Sequence, residues 1–322
     1  MKQPDPVRSY EKFNYLLRPS KQVERKLFIE ILHALKSDDY PIQDYTYLGF
    51  GSIFYADFIL FHKYLYIDKM VCVERDPIER RMKFNKPFGF IKLFMRSASE
   101  LIPRIRRNTR YIVWLDYDRP LDSELLQDID GFIQVLAPGS ILLATVEAEP
   151  RLTTEGFDDL SAKDRSRELL KLYSREFSSL VRHEIRAPNL TRNELPKLVS
   201  RILIGQVSRS LLSRKGLDFI QLFNFCYADG AQMLTLGGII DRPAAARRRP
   251  LQRLFRHAHV RTSEEPEVIS VPPLTVREKH WIDTNSLRPI AARARRLDLD
   301  EKLMKNYEKY YRHYPTYFES MI

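Results

Sequence analysis

The run Tyr47-Leu48-Gly49-Phe50-Gly51-Ser52-Ile53 places two glycines one residue apart, where a β-rich stretch gives way to an apolar, helix-like one. A ligand can come close to backbone that carries no side chain. Glu74 stands about twenty residues further on, ending the apolar run Met70-Val71-Cys72-Val73, where an acid would accept hydrogen bonds from ribose hydroxyls. Strand, glycine turn, helix and acid together read as a nucleotide-cofactor site. Taken singly, the glycines are a tight turn and Glu74 a surface acid. Ile53 occupies the place of the third glycine that a dinucleotide pyrophosphate needs, which argues against NAD(P).

A second set of candidates is acidic. Asp116 and Asp118 follow one apolar run, and Glu147 and Glu149 follow the next. At the carboxyl ends of parallel strands such acids face bound ligands. They could activate a hydroxyl, hold a cation, or pair with the abundant arginines; no metal is assigned. Asp116 is the preferred catalytic or cofactor-side acid, flanked by Trp114 and Tyr117, and Asp118 and Glu147 are substrate-side candidates. His62, in the helix after the glycine turn, and His183 further on are bases by residue type. Neither has a motif partner, and each also reads as a structural histidine. Arg18 and Lys21 open the first predicted helix, where cations are disfavoured without a nearby anion. They either approach an anionic substrate or cofactor group, or belong to a solvated face together with Arg25 and Lys26.

These residues need a scaffold. Ser20 as a cap, followed by Val23, Leu27, Phe28, Ile31, Leu32 and Leu35, predicts a helix over about residues 21–36. Strands are expected at 45–49, 69–73, 91–95, 111–115 and 140–146, with helices at 54–64, 78–85, 99–104 and 122–136 between them. Such alternation means βαβ units and a mostly parallel sheet covered on both faces. Residues 150–216 break the rhythm as a charged helical insertion expected over the open edge of the sheet. It holds helices at 164–180 and 193–212, the second entered through a capping box of Thr191 and Glu194. Asp229-Gly230 between runs 219–226 and 232–240 predicts an antiparallel hairpin. The expected organisation is an arm (1–19), a Rossmann-like domain (20–242), a basic, Pro-containing linker (243–271) and a helical extension (272–322). In that extension Tyr307, Tyr310, Tyr311, Tyr314 and Phe318 share one face.

The order of these signals resembles class I S-adenosylmethionine (SAM)-dependent methyltransferases. Within them the segments Gly49–Phe58, Val73–Asp76 and Trp114–Asp118 are similar to a bacterial O-methyltransferase-like group, over about residues 15–242. The resemblance implies a Rossmann-like α/β sheet closed by an antiparallel hairpin, SAM as cofactor, and O-methyl transfer to an acceptor it does not identify. It implies that Gly49, Phe50, Gly51 and Ser52 form the cofactor loop, Glu74 holds ribose, Ser97, Ala98 and Ser99 contact adenine, and Asp116 lies near the methyl group. Tyr47 stands where the family carries an acid, and Asp57 is its candidate substitute. The alternative implied by that departure is a weak or inactive SAM- or nucleotide-binding subunit of a complex. An Asp/Asn-Pro-Pro-Tyr/Phe signature is absent after Leu115, which disfavours methylation of a base nitrogen.

The chain of 322 residues is 44% apolar, enough for a substantial core, and has formal net charge +11. That excess favours an acidic partner, nucleic acid or protein, through runs such as Arg247–Arg249 and Arg293–Arg296, and a homo-oligomer or complex subunit fits as well. No apolar stretch is long enough for a bilayer and no secretory leader is visible. Only Cys72 and Cys226 are present, both in apolar runs, so a reduced cytoplasmic protein is expected.

Overall fold

The computed structural model describes residues 18–152, 157 and 159–315. Residues 1–17 of the expected arm (1–19) and the position of Phe318 lie outside them, and Pro19, the last residue of that arm, instead opens the first helix. Eight strands form one sheet: β1 Thr46–Phe50, β2 Lys69–Val73, β3 Ile91–Phe94, β4 Tyr111–Pro120, β5 Ser140–Glu147, β6 Asp218–Ala228, β7 Gln232–Asp241 and β8 Glu267–Ile269, in the order β3-β2-β1-β4-β5-β7-β6-β8. The first five are mutually parallel, while β7 runs antiparallel to both β5 and β6. The Asp229-Gly230 hairpin therefore forms where the turn residues predict it, with Gly230 at φ +131°.

The helices are α1 Pro19–Leu35, α2 Ala56–Leu65, α3 Glu79–Asn85, α4 Ala98–Leu101, α5 Ser123–Val135, α6 Ala162–Phe177, α7 Leu195–Leu211, α8 Arg249–Leu254, α9 Val276–Thr284, α10 Ile290–Arg296 and α11 Glu301–Tyr310. Two cores result, one on each face of the sheet. On one face Val23, Leu27, Phe28 and Ile31 of α1 and Phe58 and Phe61 of α2 pack on Tyr47 and Trp114. On the other, Leu125, Ile129 and Phe132 of α5 and Leu198, Val199 and Ile202 of α7 pack with Leu48, Val113 and Leu115. Alternate strand residues face opposite layers, so Tyr47 and Gly49 share one face and Leu48 the other.

Three expectations are corrected. The insertion does not lie over the sheet edge: α7 packs on the sheet face beside α5, against β6 and β7, because its Leu/Val/Ile stripe needs an apolar surface to bury. The capping box at Thr191 does not form, since the Thr191 hydroxyl donates to the Pro188 carbonyl and Glu194 starts α7 without a side-chain cap. Residues 243–271, read as a linker, carry α8 and β8. Buried Leu251 and Leu254 join the α1 core, and β8 pairs parallel to β6, covering what would be an open sheet edge. Among the described residues no helix is long and apolar enough to cross a membrane.

Candidate functional site

A cavity of about 440 Å³ opens at the carboxyl ends of the parallel strands, the edge where open α/β sheets take their ligands. β1 contributes Phe50 and leads into Gly51 and Ser52; β2 leads into Glu74; and Ser97 and Ala98 come after β3. Asp116 and Asp118 come from β4, Arg18 and Arg25 from the start of α1, Asp57 from α2 and Tyr227 from β6. The β4–β5 register shifts between Asp116 and Pro120, so the strand is irregular where it supplies acids to the wall.

The glycine turn is built as its residue types require. The Gly51 amide donates to the Val73 carbonyl at 2.7 Å, and Tyr55, at φ +47°, precedes α2. A Cβ on Gly51 would lie 2.6 Å from Cys72 Sγ, so the turn tolerates no side chain without a shift. Gly49 is different. It faces the core, where a Cβ would lie 2.3 Å from Tyr47 Oη, and it is not in the cavity wall.

Glu74 is half-buried, and its Oε1 accepts from the Asp76 amide at 2.9 Å. Burial raises its pKa above the usual carboxylate value. Ser97 caps α4 in a capping box with Glu100. Ser99 is exposed, 2.8 Å from Ser97 Oγ, and does not reach the cavity wall.

The four strand-end acids separate. Asp116 and Asp118 line the cavity, whereas Glu147 is buried against Arg151 and Glu149 pairs with Arg192 at 2.9 Å. Glu147 therefore does not face a substrate in this site. Asp116 meets Lys21, whose Nζ donates to Oδ1 at 2.9 Å. Burial alone would raise the Asp116 pKa, but Lys21, Arg25 and Arg18 outweigh it and hold the carboxyl below its ordinary value.

Lys21 is not on a solvated face. It is 1% exposed, lies 3.0 Å from Glu24 and sits over the Trp114 ring at 4.5 Å from its centroid. Arg25 pairs with buried Asp57. Behind them the Trp114 indole donates to Thr145 at 2.9 Å, and Thr235, 2.8 Å from Thr145, donates to Glu24. Asp229 of the hairpin accepts from the Ser20 and Lys21 amides, at 3.0 and 2.8 Å. A residue 209 positions away from Ser20 thus supplies the anion that the cationic start of α1 requires.

His62 is corrected as a base. Its Nδ1–H donates to the Ile67 carbonyl at 2.9 Å, its ring packs on Phe88 and Phe90, and it is not in the cavity wall. The aromatic contacts and the short α2 C-terminus fix it there. His183 is exposed. Sequence reasoning missed Tyr227, Arg25 in its buried pair, and Asp128, which accepts from the Tyr117 hydroxyl.

A parallel five-strand core joined to an antiparallel β7, with its cavity at Gly51, Glu74 and Asp116, defines the Rossmann-like methyltransferase class of fold. Residues 13–322 match the family described as "Putative O-methyltransferase", and the chain belongs to that family. The match includes the helical extension. No curated protein sequence is significantly similar. Solved structures similar in part include Trm1 from Pyrococcus horikoshii with S-adenosyl-L-methionine: 12% identity, TM-score 0.45, 74% of this chain and 59% of that one. The N-methyltransferase NodS from Bradyrhizobium japonicum with S-adenosyl-L-homocysteine shares 12% identity, with TM-score 0.32 and coverage of 66% and 97%. TYW2 from M. jannaschii in complex with AdoMet shares 14% identity, with TM-score 0.36 and coverage of 72% and 80%. The chain thus spans 59% of the length of the Trm1 chain.

Proposed function

We propose that this protein is a SAM-dependent methyltransferase that transfers the methyl group to an oxygen of an acceptor. The observation that carries this reading is the cavity at the carboxyl edge, where a side-chain-free turn at Gly51, the half-buried Glu74 and the β4 acid Asp116 share one wall. The fit to SAM rests on this donor set. Glu74 offers a carboxylate to the ribose hydroxyls, Ser97 and Ala98 border the place for the base, and the buried hydroxyl of Tyr227 is without a hydrogen-bond partner in the wall.

Bound SAM supplies a sulfonium-activated methyl group and departs as S-adenosylhomocysteine. The chain's own part is chiefly positioning. Asp116, held ionised by Lys21, accepts a hydrogen bond from the acceptor hydroxyl and orients its lone pair. Its lowered pKa makes it a weak proton acceptor, so a phenolic hydroxyl suits it better than an alkyl alcohol. The released proton passes to Asp116 and then to water at the open cavity mouth. Asp118, exposed on the same wall, and Arg18 are the residues placed to meet the acceptor.

Calorimetric titration of SAM into wild type and Glu74→Ala tests the reading. Wild type binds, and the variant loses about 10- to 100-fold in affinity, the worth of hydrogen bonds to a charged group. No heat with SAM or S-adenosylhomocysteine removes the proposal. Binding without transfer to any hydroxyl acceptor favours the SAM-binding subunit instead.

A further inference from the structure

The end of the sheet opposite the cavity gathers positive charge. Five loops meet there: residues 36–45 before β1, 105–110 before β4, 136–139 before β5, 212–217 before β6 and 242–248 after β7. Hydrogen bonds tie them to one another. The Thr46 amide donates to the Arg110 carbonyl at 3.0 Å, and the Gly139 amide to the Ile240 carbonyl at 2.7 Å. Arg110 donates to the Pro138 and Asp39 carbonyls, at 3.1 and 2.5 Å. Arg214 donates to the Ile133 and Leu136 carbonyls at the end of α5, both at 2.6 Å.

These loops hold nine Lys or Arg and three Asp. Among the described residues the one ion pair they form is Arg248 with Asp39, at 3.6 Å. Arg106, Arg107, Lys215, Arg242 and Arg247 are exposed. On α6, by contrast, Arg167 pairs with Asp164 at 3.2 Å and Lys171 with Glu168 at 2.7 Å. Of the acids at the flanking strand ends, Asp241 is buried and accepts from the Tyr40 hydroxyl at 3.0 Å, and Asp218 accepts from the Phe219 amide at 2.8 Å. Burial and the neighbouring Arg107 charge push the Arg214 pKa down, as expected of two cations held close. Of the two basic runs in the sequence, the first thus ends up at this edge, while Arg293 of the second is buried against Glu308.

Like charges gathered without partners repel, and an anionic ligand relieves them. The strands β1, β4, β5, β7 and β6 are consecutive neighbours, so the strip is about 20 Å wide. A nucleic-acid duplex presents about ten phosphate charges over that length. A protein partner would want an apolar centre with few charges, and Leu212 is the one exposed large hydrophobic in these loops. Their aromatic residues, Tyr40 and Tyr45, are buried, so no ring stands out to stack the bases of a single strand.

We propose that the amino edge of the sheet is a docking surface for double-stranded nucleic acid, gripped through its phosphates without regard to sequence by Arg106, Arg107, Lys215, Arg242 and Arg247. The cavity opens at the opposite edge, so the held duplex is a tether and not the methyl acceptor. The proposal is independent of the cofactor.

The test is fluorescence anisotropy of a labelled DNA duplex of about 20 base pairs, titrated with the full chain. Contacts to phosphates accept either sugar, so DNA is a sufficient probe. Wild type is expected to bind at about micromolar Kd in about 50 mM salt, with log K falling linearly in log salt. The triple variant Arg106→Gln, Arg107→Gln, Lys215→Gln loses about tenfold and lowers the salt slope by about two to three. A matched triple outside these loops, Lys163→Gln, Arg182→Gln, Lys302→Gln, stays within about twofold. Thermal melts confirm folding, and Arg242→Gln with Arg247→Gln repeats the test where the first triple fails to fold. No binding at low salt, or equal losses in the matched triple, overturns the assignment. Tighter binding of polyglutamate than of the duplex also overturns it and makes the partner an acidic protein.

Discussion

Lys21 Nζ lies 2.9 Å from Asp116 Oδ1 and joins the first turn of α1 to β4 across 95 positions of sequence. The lysine is buried and the carboxylate faces the cavity. Removing the cation leaves a desolvated anion, so Lys21→Met is expected to cost about 3 kcal/mol in urea unfolding. Lys21→Met combined with Asp116→Asn should recover at least about 1 kcal/mol of that loss, because the two residues act as a pair. Strict additivity of the two single variants would show that they do not.

Tyr47 places a hydroxyl deep in the core with no hydrogen-bond partner, above Gly49. A buried polar group without a partner costs free energy, so Tyr47→Phe should raise stability by about 1 kcal/mol, read as a higher melting temperature. SAM affinity should not change, since Tyr47 does not line the cavity. Lower stability on losing the hydroxyl would contradict this.

At Gly51 an added Cβ would lie 2.6 Å from Cys72 Sγ and 2.7 Å from Met82 Cε. Gly51→Ala is therefore expected to destabilise by about 1–3 kcal/mol through overpacking and to weaken SAM binding by moving the turn. Pairing it with Cys72→Ala makes room, and a coupling of opposite sign in the double variant is the outcome to look for.

Much of the frame was legible because its signals are local. The parallel strands, the glycine turn and the Asp229-Gly230 hairpin each follow from short-range patterns, and the cavity formed beside Gly51, Glu74 and Asp116. For the charges of α1 two readings stood open, an anionic ligand group or a solvated face, and the burial of Lys21 and Arg25 removes the second for them. Lys21, Glu24 and Arg25 continue, at steps of three and four, the stripe of Phe28, Ile31, Leu32 and Leu35, so the spacing already put them on the buried face. What no local pattern could supply was the partners: Asp57, Asp116, Asp229 and Thr235 come from four distant elements. β8 was missed for a related reason. Three residues are too few for periodicity to show, and their pairing with β6 is entirely tertiary.

Glu267, on β8, shows how the region after β7 responds to acid. Burial opposes its charged form, but hydrogen bonds from His259, Lys309 and Tyr310 and the charge of Lys309 hold its pKa at about 2. A lowered carboxylate contributes stability above its unfolded pKa and loses it as pH falls through the folded value. The stability tied to Glu267 is therefore complete above about pH 4.5 and declines towards pH 2. Glu267→Gln should cost about 2 kcal/mol at pH 7 and flatten the acid limb of the stability curve between those values. An unchanged acid limb would place that dependence elsewhere.

Glu30, near the end of α1, is gripped by His257 and by His313, the latter 283 positions further along the chain. α1 thus presents its first turns to the cavity and a later one to residues on either side of β8. During synthesis the element that shapes the cavity emerges well before the partner 283 positions downstream with which its clasp closes. Contacts at such sequence distance form late and slowly. A chain cut before residue 313 would keep the strands of the sheet but lose the His313 half of the clasp on α1.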